Sequence, residues 1–389
     1  APIFSRARGA GASDGGGKGG GKGGGKRRGK QRERSPDGDG MNDVPDFRMS
    51  PGEASAKMEQ VLLKMPDAAM EQEGSRFLQW RLRDNIGDDE EKDRIYAAAL
   101  PKVAELASDV FGNFVVQKLF ERGTSDQRER IADKMQGEIY NLATHKYGCR
   151  VVQKMLEHSP ADVQVSLSGE LHGKVIQCIE DLHGNHVVQA IVKHMPSDSI
   201  DFVLRSVTDS AEKMSAHMYG CRVIQRLLEK CTQEQMSGLV EKVLGDVDRL
   251  AVDKHGNYVV QCVLEHGDTE DIRRVIDAIR KDFATFAKNK VSSNVVEKCF
   301  AVATIGGSSN LLSDDRELLY KEVLERGRML EDLATDKFGN YAVQSIIKYS
   351  RGDDRDALKR RINAMESDLK TSATGKHILT CLKKLDEDD

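Results

Sequence analysis

From about Ala54 onward this sequence repeats itself, and a fixed period constrains its fold more tightly than any other feature. The segment YGCRVVQKMLEH, starting at Tyr147, returns 72 residues later as YGCRVIQRLLEK, starting at Tyr219. Taking as anchor i the residue after each Gly or Ser that introduces an apolar pair gives Ser75, Asn113, Cys149, Asn185, Cys221, Asn257, Ser293 and Asn340. The intervals between them are 38, 36, 36, 36, 36, 36 and 47 residues. The last interval carries eleven residues beyond the period, for which ATIGGSSNLLSDD is the expected loop. The first carries two, assigned to the acidic turn NIGDDEEKD.

Each unit reads as helical. An apolar-periodic stretch such as IADKMQGEIYNLATHK precedes the anchor segment, and turn signals such as RGTSD, HSPAD, HMPSD and HGDTE follow it. Positions i+2 and i+3 are apolar in every copy, from Phe77 and Leu78 through Val115 and Val116 to Ala342 and Val343. Those positions are expected to point inward. Positions i and i+4 lie one turn apart, with i+1 beside them, so stacking the units should line up three outward residues per repeat along one surface. The expected fold is all-α: an α-solenoid occupying residues 54–389, with anchor helices near 75, 113, 149, 185, 221, 257, 293 and 340. The proline-interrupted KMEQVLLKMPDAAMEQEG makes the first repeat a weak copy, and GKHILTCLKK, from Gly375, marks a C-terminal cap at about 367–385.

Residues 1–50 differ in kind. Gly15 to Gly40 is low-complexity and almost free of apolar residues, so it is expected to be a disordered basic tail. No GK there is followed by Ser or Thr, which excludes a phosphate-binding loop. Residues 1–34 hold ten Lys/Arg against two acids, a net of +8, which leaves −12 for the remainder of a chain whose formal charge is −4. An acidic body argues against binding by blanket phosphate attraction and predicts a shallow salt dependence, although Lys118, Lys154, Arg226 and Lys298 follow anchor-helix residues i+4. Seven cysteines without a CxxC pair point to free thiols in a reducing, cytoplasmic setting, and neither a signal peptide nor an 18-residue apolar run is present. The first residue is Ala1 rather than methionine, as expected of a fragment or processed product.

The triads i, i+1, i+4 carry the functional signal. They are Ser75/Arg76/Gln79, Asn113/Phe114/Gln117, Cys149/Arg150/Gln153, Asn185/His186/Gln189, Cys221/Arg222/Gln225, Asn257/Tyr258/Gln261, Ser293/Asn294/Glu297 and Asn340/Tyr341/Gln344. The middle residue is flat in every copy, as a platform for stacked bases requires. The outer two suit base edges. Asn with Gln offers donors and acceptors to uracil, a small Ser or Cys with Gln leaves room for adenine, and Glu297 is an acceptor that matches the two adjacent donors of guanine. A single triad is no more than a solvated helix face; eight in register are not.

This pattern resembles the Pumilio (PUF) family over nearly all of Ala54 to Asp389, all eight triads fitting its motif. Repeats of that family are a known instance of a one-base-per-repeat code. The resemblance implies a right-handed crescent of eight repeats of about 36 residues between capping pseudo-repeats, binding single-stranded RNA antiparallel. Carried onto these positions, it implies 5'-UGUAUAUA-3', read from Asn340/Gln344 back to Ser75/Gln79. It further implies a monomer that acts on mRNA 3' untranslated regions and recruits deadenylase or repressor proteins. Phe114 stands where tyrosine is usual and keeps the stacking face. A nuclear ribosome-biogenesis relative is the alternative within the family, and a protein-binding solenoid the alternative outside it. Cys149 and Cys221 follow His145 and His217 by four residues, but no further ligand recurs, so neither a metal, a cofactor nor an enzyme activity is expected. Cys178, Cys262, Cys299 and Cys381 read as core thiols.

Overall fold

The computed structural model describes residues 46–84 and 86–387. The basic tail therefore lies outside the described residues up to position 45. Positions 46–50, assigned to that tail, take part in the fold. Phe47 packs on Phe77 and Trp80 with ring centroids 5.6 and 5.4 Å away, Asp46 pairs with Arg83 at 2.6 Å, and Ser50 caps the helix Pro51–Leu63 in a capping box with Glu53. A segment with so little apolar content gives no sign in sequence that one phenylalanine seals the first repeat.

Among the described residues every regular element is helical. A typical repeat has three helices, as in Ser125–Met135, Ile139–Ala143 and Gly148–His158. The third is the anchor helix. It runs as Gln72–Arg81, Gly112–Arg122, Gly148–His158, Gly184–His194, Gly220–Lys230, Gly256–His266, Ser293–Ile305 and Gly339–Tyr349, with Ala373–Glu387 in the corresponding place of the cap. Each anchor helix lies against those of the repeats before and after it, so the sixteen i+2 and i+3 side chains are all buried in one continuous core. Each such aliphatic side chain contributes about 1.5–3 kcal/mol by leaving water.

The glycine at i−1 is forced by packing. A Cβ on Gly112 would sit 2.8 Å from the Leu106 carbonyl oxygen, and one on Gly220 would sit 2.5 Å from that of Met214, because the short second helix passes directly beneath. Repeat 7 solves the same crowding differently. Its i−1 residue, Ser292, is fully buried and donates its hydroxyl to the equivalent carbonyl, Phe286 O, at 2.8 Å.

The eleven extra residues before repeat 8 are not confined to one loop. The anchor helix of repeat 7 continues to Ile305, a 3₁₀ turn occupies Ser309–Leu312, and Ser313–Leu324 is already the next helix. Further residues fall in the turn around Gly327, whose φ of +57° is the left-handed conformation glycine adopts without strain. Asp315 explains why part of ATIGGSSNLLSDD is ordered: its buried carboxylate accepts from Arg273 Nε at 3.2 Å, and the same arginine holds Leu311 O at 3.1 Å.

Candidate nucleic-acid interface

In seven of the eight repeats the start of the anchor helix is fixed from position i−4; in repeat 1 Glu71, at that position, makes no side-chain cap hydrogen bond. In four repeats that residue is aspartate. Asp109 Oδ1 accepts from the backbone N–H groups of Phe111 at 2.8 Å and Gly112 at 2.7 Å, and Asp181, Asp253 and Asp336 repeat the geometry. These bonds satisfy donors that a helix N-terminus would otherwise leave unpaired. In the two cysteine repeats the acceptor is a histidine. His145 Nδ1 takes the N–H of Tyr147 at 3.3 Å and of Gly148 at 3.2 Å, and His217 does the same for Tyr219 and Gly220. Asn289 serves repeat 7. The histidines that precede Cys149 and Cys221 are therefore helix-capping groups, and no cluster of three metal-ligating side chains occurs among the described residues.

The eight anchors do not face outward as expected. Ser75, Asn113, Cys149, Asn185, Cys221, Asn257, Ser293 and Asn340 are all buried. The physical reason is the first turn itself. Asn113 Nδ2 donates both hydrogens to backbone carbonyls, Asp109 O at 2.8 Å and Val110 O at 3.0 Å, and Asn185 and Asn340 do likewise, while Asn257 bonds Asp253 O. The amide nitrogen of the anchor is thus spent on the turn.

The i+4 side chain, which the anchor orients, is half-buried in repeats 3 to 8 and buried in repeats 1 and 2. In the Asn repeats the Gln Nε2 donates to Asn Oδ1: Gln117 to Asn113 at 2.8 Å, Gln189 to Asn185 at 3.0 Å, Gln261 to Asn257 and Gln344 to Asn340 at 2.9 Å. Each of these glutamines keeps one N–H and its Oε1, a donor beside an acceptor. In the Cys repeats the glutamine folds back to the backbone instead, Gln153 to Cys149 O at 3.0 Å and Gln225 to Cys221 O at 2.9 Å. Burial pushes both thiols above the ordinary cysteine pKa, with Arg150 or Arg222 partly opposing it. They stay protonated, and each points its sulfur at a turn carbonyl 3.6 Å away, Lys146 O or Met218 O.

The i+1 residues are the accessible part of each triad. Arg76, Arg150, Arg222, Tyr258, Asn294 and Tyr341 are exposed, and Phe114 and His186 half-buried. The guanidinium of Arg222 lies 5.0 Å from the Tyr258 ring centroid, so the flat groups of repeats 5 and 6 already stand one above the other. Repeat 1 ties its anchor to the next repeat. Ser75 Oγ donates to Phe111 O of the next repeat at 2.8 Å and accepts from Gln79 Nε2 at 3.0 Å, and both side chains are buried, leaving Arg76 as the exposed member.

Repeat 7 carries the one acidic triad. Glu297 is half-buried, and its Oε2 accepts from Ser345 Oγ of repeat 8 at 2.7 Å. Burial raises its pKa, an effect opposed by the Ser345 hydrogen bond and by the charge of Lys348. The cations after the i+4 residues are neutralised from within: Lys118 pairs with Glu121 at 2.6 Å, Lys154 with Glu157 at 2.8 Å, Arg226 with Glu229 at 2.7 Å, and Lys298 with Glu265. Cys178, Cys262 and Cys299 are core thiols and Cys381 is half-buried; all seven cysteines are free.

Sequence comparison places this ladder among known proteins. Residues 102–135, 138–172, 174–208, 212–244, 246–280, 282–305 and 331–360 match the Pumilio-family RNA binding repeat, leaving repeat 1 outside the matched segments. A 95-residue stretch is 36% identical to Pumilio homolog 12 of Arabidopsis thaliana, covering 24% of this chain and 14% of that protein's length. Among solved structures, PUF-8 in complex with PBE-RNA aligns with a TM-score of 0.77 at 30% identity, over 85% of this chain and 94% of that one. The Puf3 RNA binding domain bound to a Cox17 RNA 3' UTR recognition sequence aligns with a TM-score of 0.74 at 29% identity, over 84% and 96% of the two chains.

Proposed function

Because the chain belongs to the Pumilio family of RNA-binding repeat proteins, we propose that it reads single-stranded RNA one base per repeat, with 5'-UGUAUAUA-3' as its target. The observation that carries this reading is the alternation of two tether geometries in phase with the anchor residue. Where the anchor is Asn, the glutamine presents a donor beside an acceptor at a fixed height, which suits N3–H and a carbonyl of uracil. Where it is Cys, the glutamine is drawn down to the backbone, and a purine fits in the space above. Glu297 offers guanine two acceptor oxygens.

Stacking worth about 1–3 kcal/mol per base exceeds, at its upper end over eight bases, the ceiling of noncovalent affinity, so the contributions cannot simply add. Ordering the RNA opposes them, and a nanomolar Kd, about −12 kcal/mol, is expected. Because the flanking cations are already paired, affinity should fall only gently with salt.

Two related domains are bound to 3' UTR recognition sequences, of Cox17 RNA and of HO endonuclease RNA. By analogy the natural target of this chain is an mRNA 3' untranslated region in the cytoplasm, and the outcome of binding is repression of translation or stability through recruited proteins. Selection from a randomised eight-base RNA pool tests the code. Enrichment of UGUA followed by alternating U and A supports it; an unenriched pool refutes base reading.

A further inference from the structure

We propose that Ser345, in the anchor helix of repeat 8, is the positioning residue that lets Glu297 of repeat 7 select guanine. The proposal rests on the reading that Glu297 faces the second base. The reasoning starts from what a carboxylate cannot do. Each reader glutamine spends an N–H on its own helix, tying itself to Asn Oδ1, to the Cys carbonyl or to Ser75 Oγ. Glu297 has no N–H to spend, so that tether is closed to it. An untethered glutamate has three free torsions whose ordering costs binding free energy.

The neighbouring repeat supplies the substitute. Position i+5 of one anchor helix lies against i+4 of the helix before it: Cys262 Sγ approaches Gln225 O at 3.8 Å, and Cys381 Sγ approaches Gln344 O at the same distance. At the repeat 7/8 junction this position is Ser345, and its hydroxyl reaches past the backbone to Glu297 Oε2 at 2.7 Å. Among the described residues this is the one junction where a hydroxyl in that position meets a reader carboxylate.

The single hydroxyl hydrogen occupies one of about four acceptor positions on the carboxylate. Oε1 and the second lone pair of Oε2 remain for the N1–H and N2–H of guanine. The same bond favours the ionised form, which guanine needs, against the burial that raises the Glu297 pKa. The charge facing Glu297 from the adjoining helix is Lys348; Lys298, next along its own helix, is engaged by Glu265 of repeat 6. Ser345 therefore does for the glutamate what the anchor does for a glutamine.

The test compares Kd values of the full chain for UGUAUAUA and UUUAUAUA, at neutral and at mildly acidic pH. Ser345→Ala is expected to reduce the preference for G over U at the second base about tenfold, chiefly by weakening the G-containing RNA, the scale of one charge-assisted hydrogen bond. Ser345→Thr, which keeps the hydroxyl, should restore it. The G preference of Ser345→Ala should also fade at a higher pH than that of the parent. An unchanged ratio and pH profile in Ser345→Ala overturns the proposal, as does equal weakening toward both RNAs. If instead the parent shows no G preference and Glu297→Gln changes nothing, the base assignment of repeat 7 itself fails, and this inference with it.

Discussion

The asparagine repeats and the cysteine repeats hold the same glutamine in two different ways, and on the proposed reading that difference is where selectivity resides. In repeats 2, 4, 6 and 8 the glutamine leans on a side chain, the Oδ1 of a buried asparagine that is itself locked to the turn. In repeats 3 and 5 it leans on a main-chain carbonyl. The cap differs in step, aspartate in the first class and histidine in the second. The anchor thus acts largely by placing the i+4 side chain. If the proposed code holds, it depends on anchor side chains that are buried beneath the reading surface.

The largest expected effect comes from converting the acidic triad into an asparagine-type one. The double substitution Ser293→Asn with Glu297→Gln should move the second-base preference from G to U, lowering affinity for UGUAUAUA about a hundredfold, roughly 2.8 kcal/mol, in competition binding. Retained G preference would break the assigned register. Next, Cys149→Asn should convert repeat 3 from one tether to the other, since the His145 and Lys146 carbonyls are available to its Nδ2. Preference at the sixth base should then shift from A to U by about tenfold. If A is still preferred, the tether does not set the base.

A smaller effect separates the caps. Asp253→Ala removes bonds of 2.8 and 2.7 Å made by a charged acceptor, and should cost about 1–2 kcal/mol in urea unfolding. His217→Ala removes longer bonds, 3.3 and 3.2 Å, from an uncharged nitrogen, and should cost less than about 1 kcal/mol. Equal losses would show that the histidine caps are not the weaker class. The least effect is expected at the eighth base. With Ser75 Oγ committed to Phe111 O of the next repeat and to Gln79, replacing the final A should change Kd less than about threefold, about 0.7 kcal/mol, because Arg76 stacks on any base.

Much of this was legible in the sequence, for identifiable reasons. Helices that pack identically in every repeat must keep their apolar pair at i+2 and i+3, so the period and the core positions, Val115 and Val116 or Val151 and Val152, are visible to simple alignment. The exposed stacking residues follow from the same register. The burial of the anchors was not legible, because it arises from the first turn, where Asn113 has closer partners in Asp109 O and Val110 O than in solvent. A signal did exist: Asp109, His145, Asp181, His217 and Asp253 alternate at i−4 in phase with Asn and Cys, and every one is an acceptor able to cap a helix. The Ser345–Glu297 bond joins residues 48 apart across an interval lengthened to 47, where periodicity alone gives no register. The placement of Phe47 on Phe77 and Trp80 escaped for a related reason, since it lies upstream of the repeat.

The measurement that bears most directly on the central claim is the equilibrium affinity of the chain for UGUAUAUA beside that for the same oligonucleotide with UGU changed to ACA, at one stated salt concentration. Base reading by repeats 6, 7 and 8 predicts a loss of at least about a hundredfold, roughly 2.8 kcal/mol. Equal affinity for the two RNAs would contradict it and leave a solenoid whose ordered triads serve a different ligand.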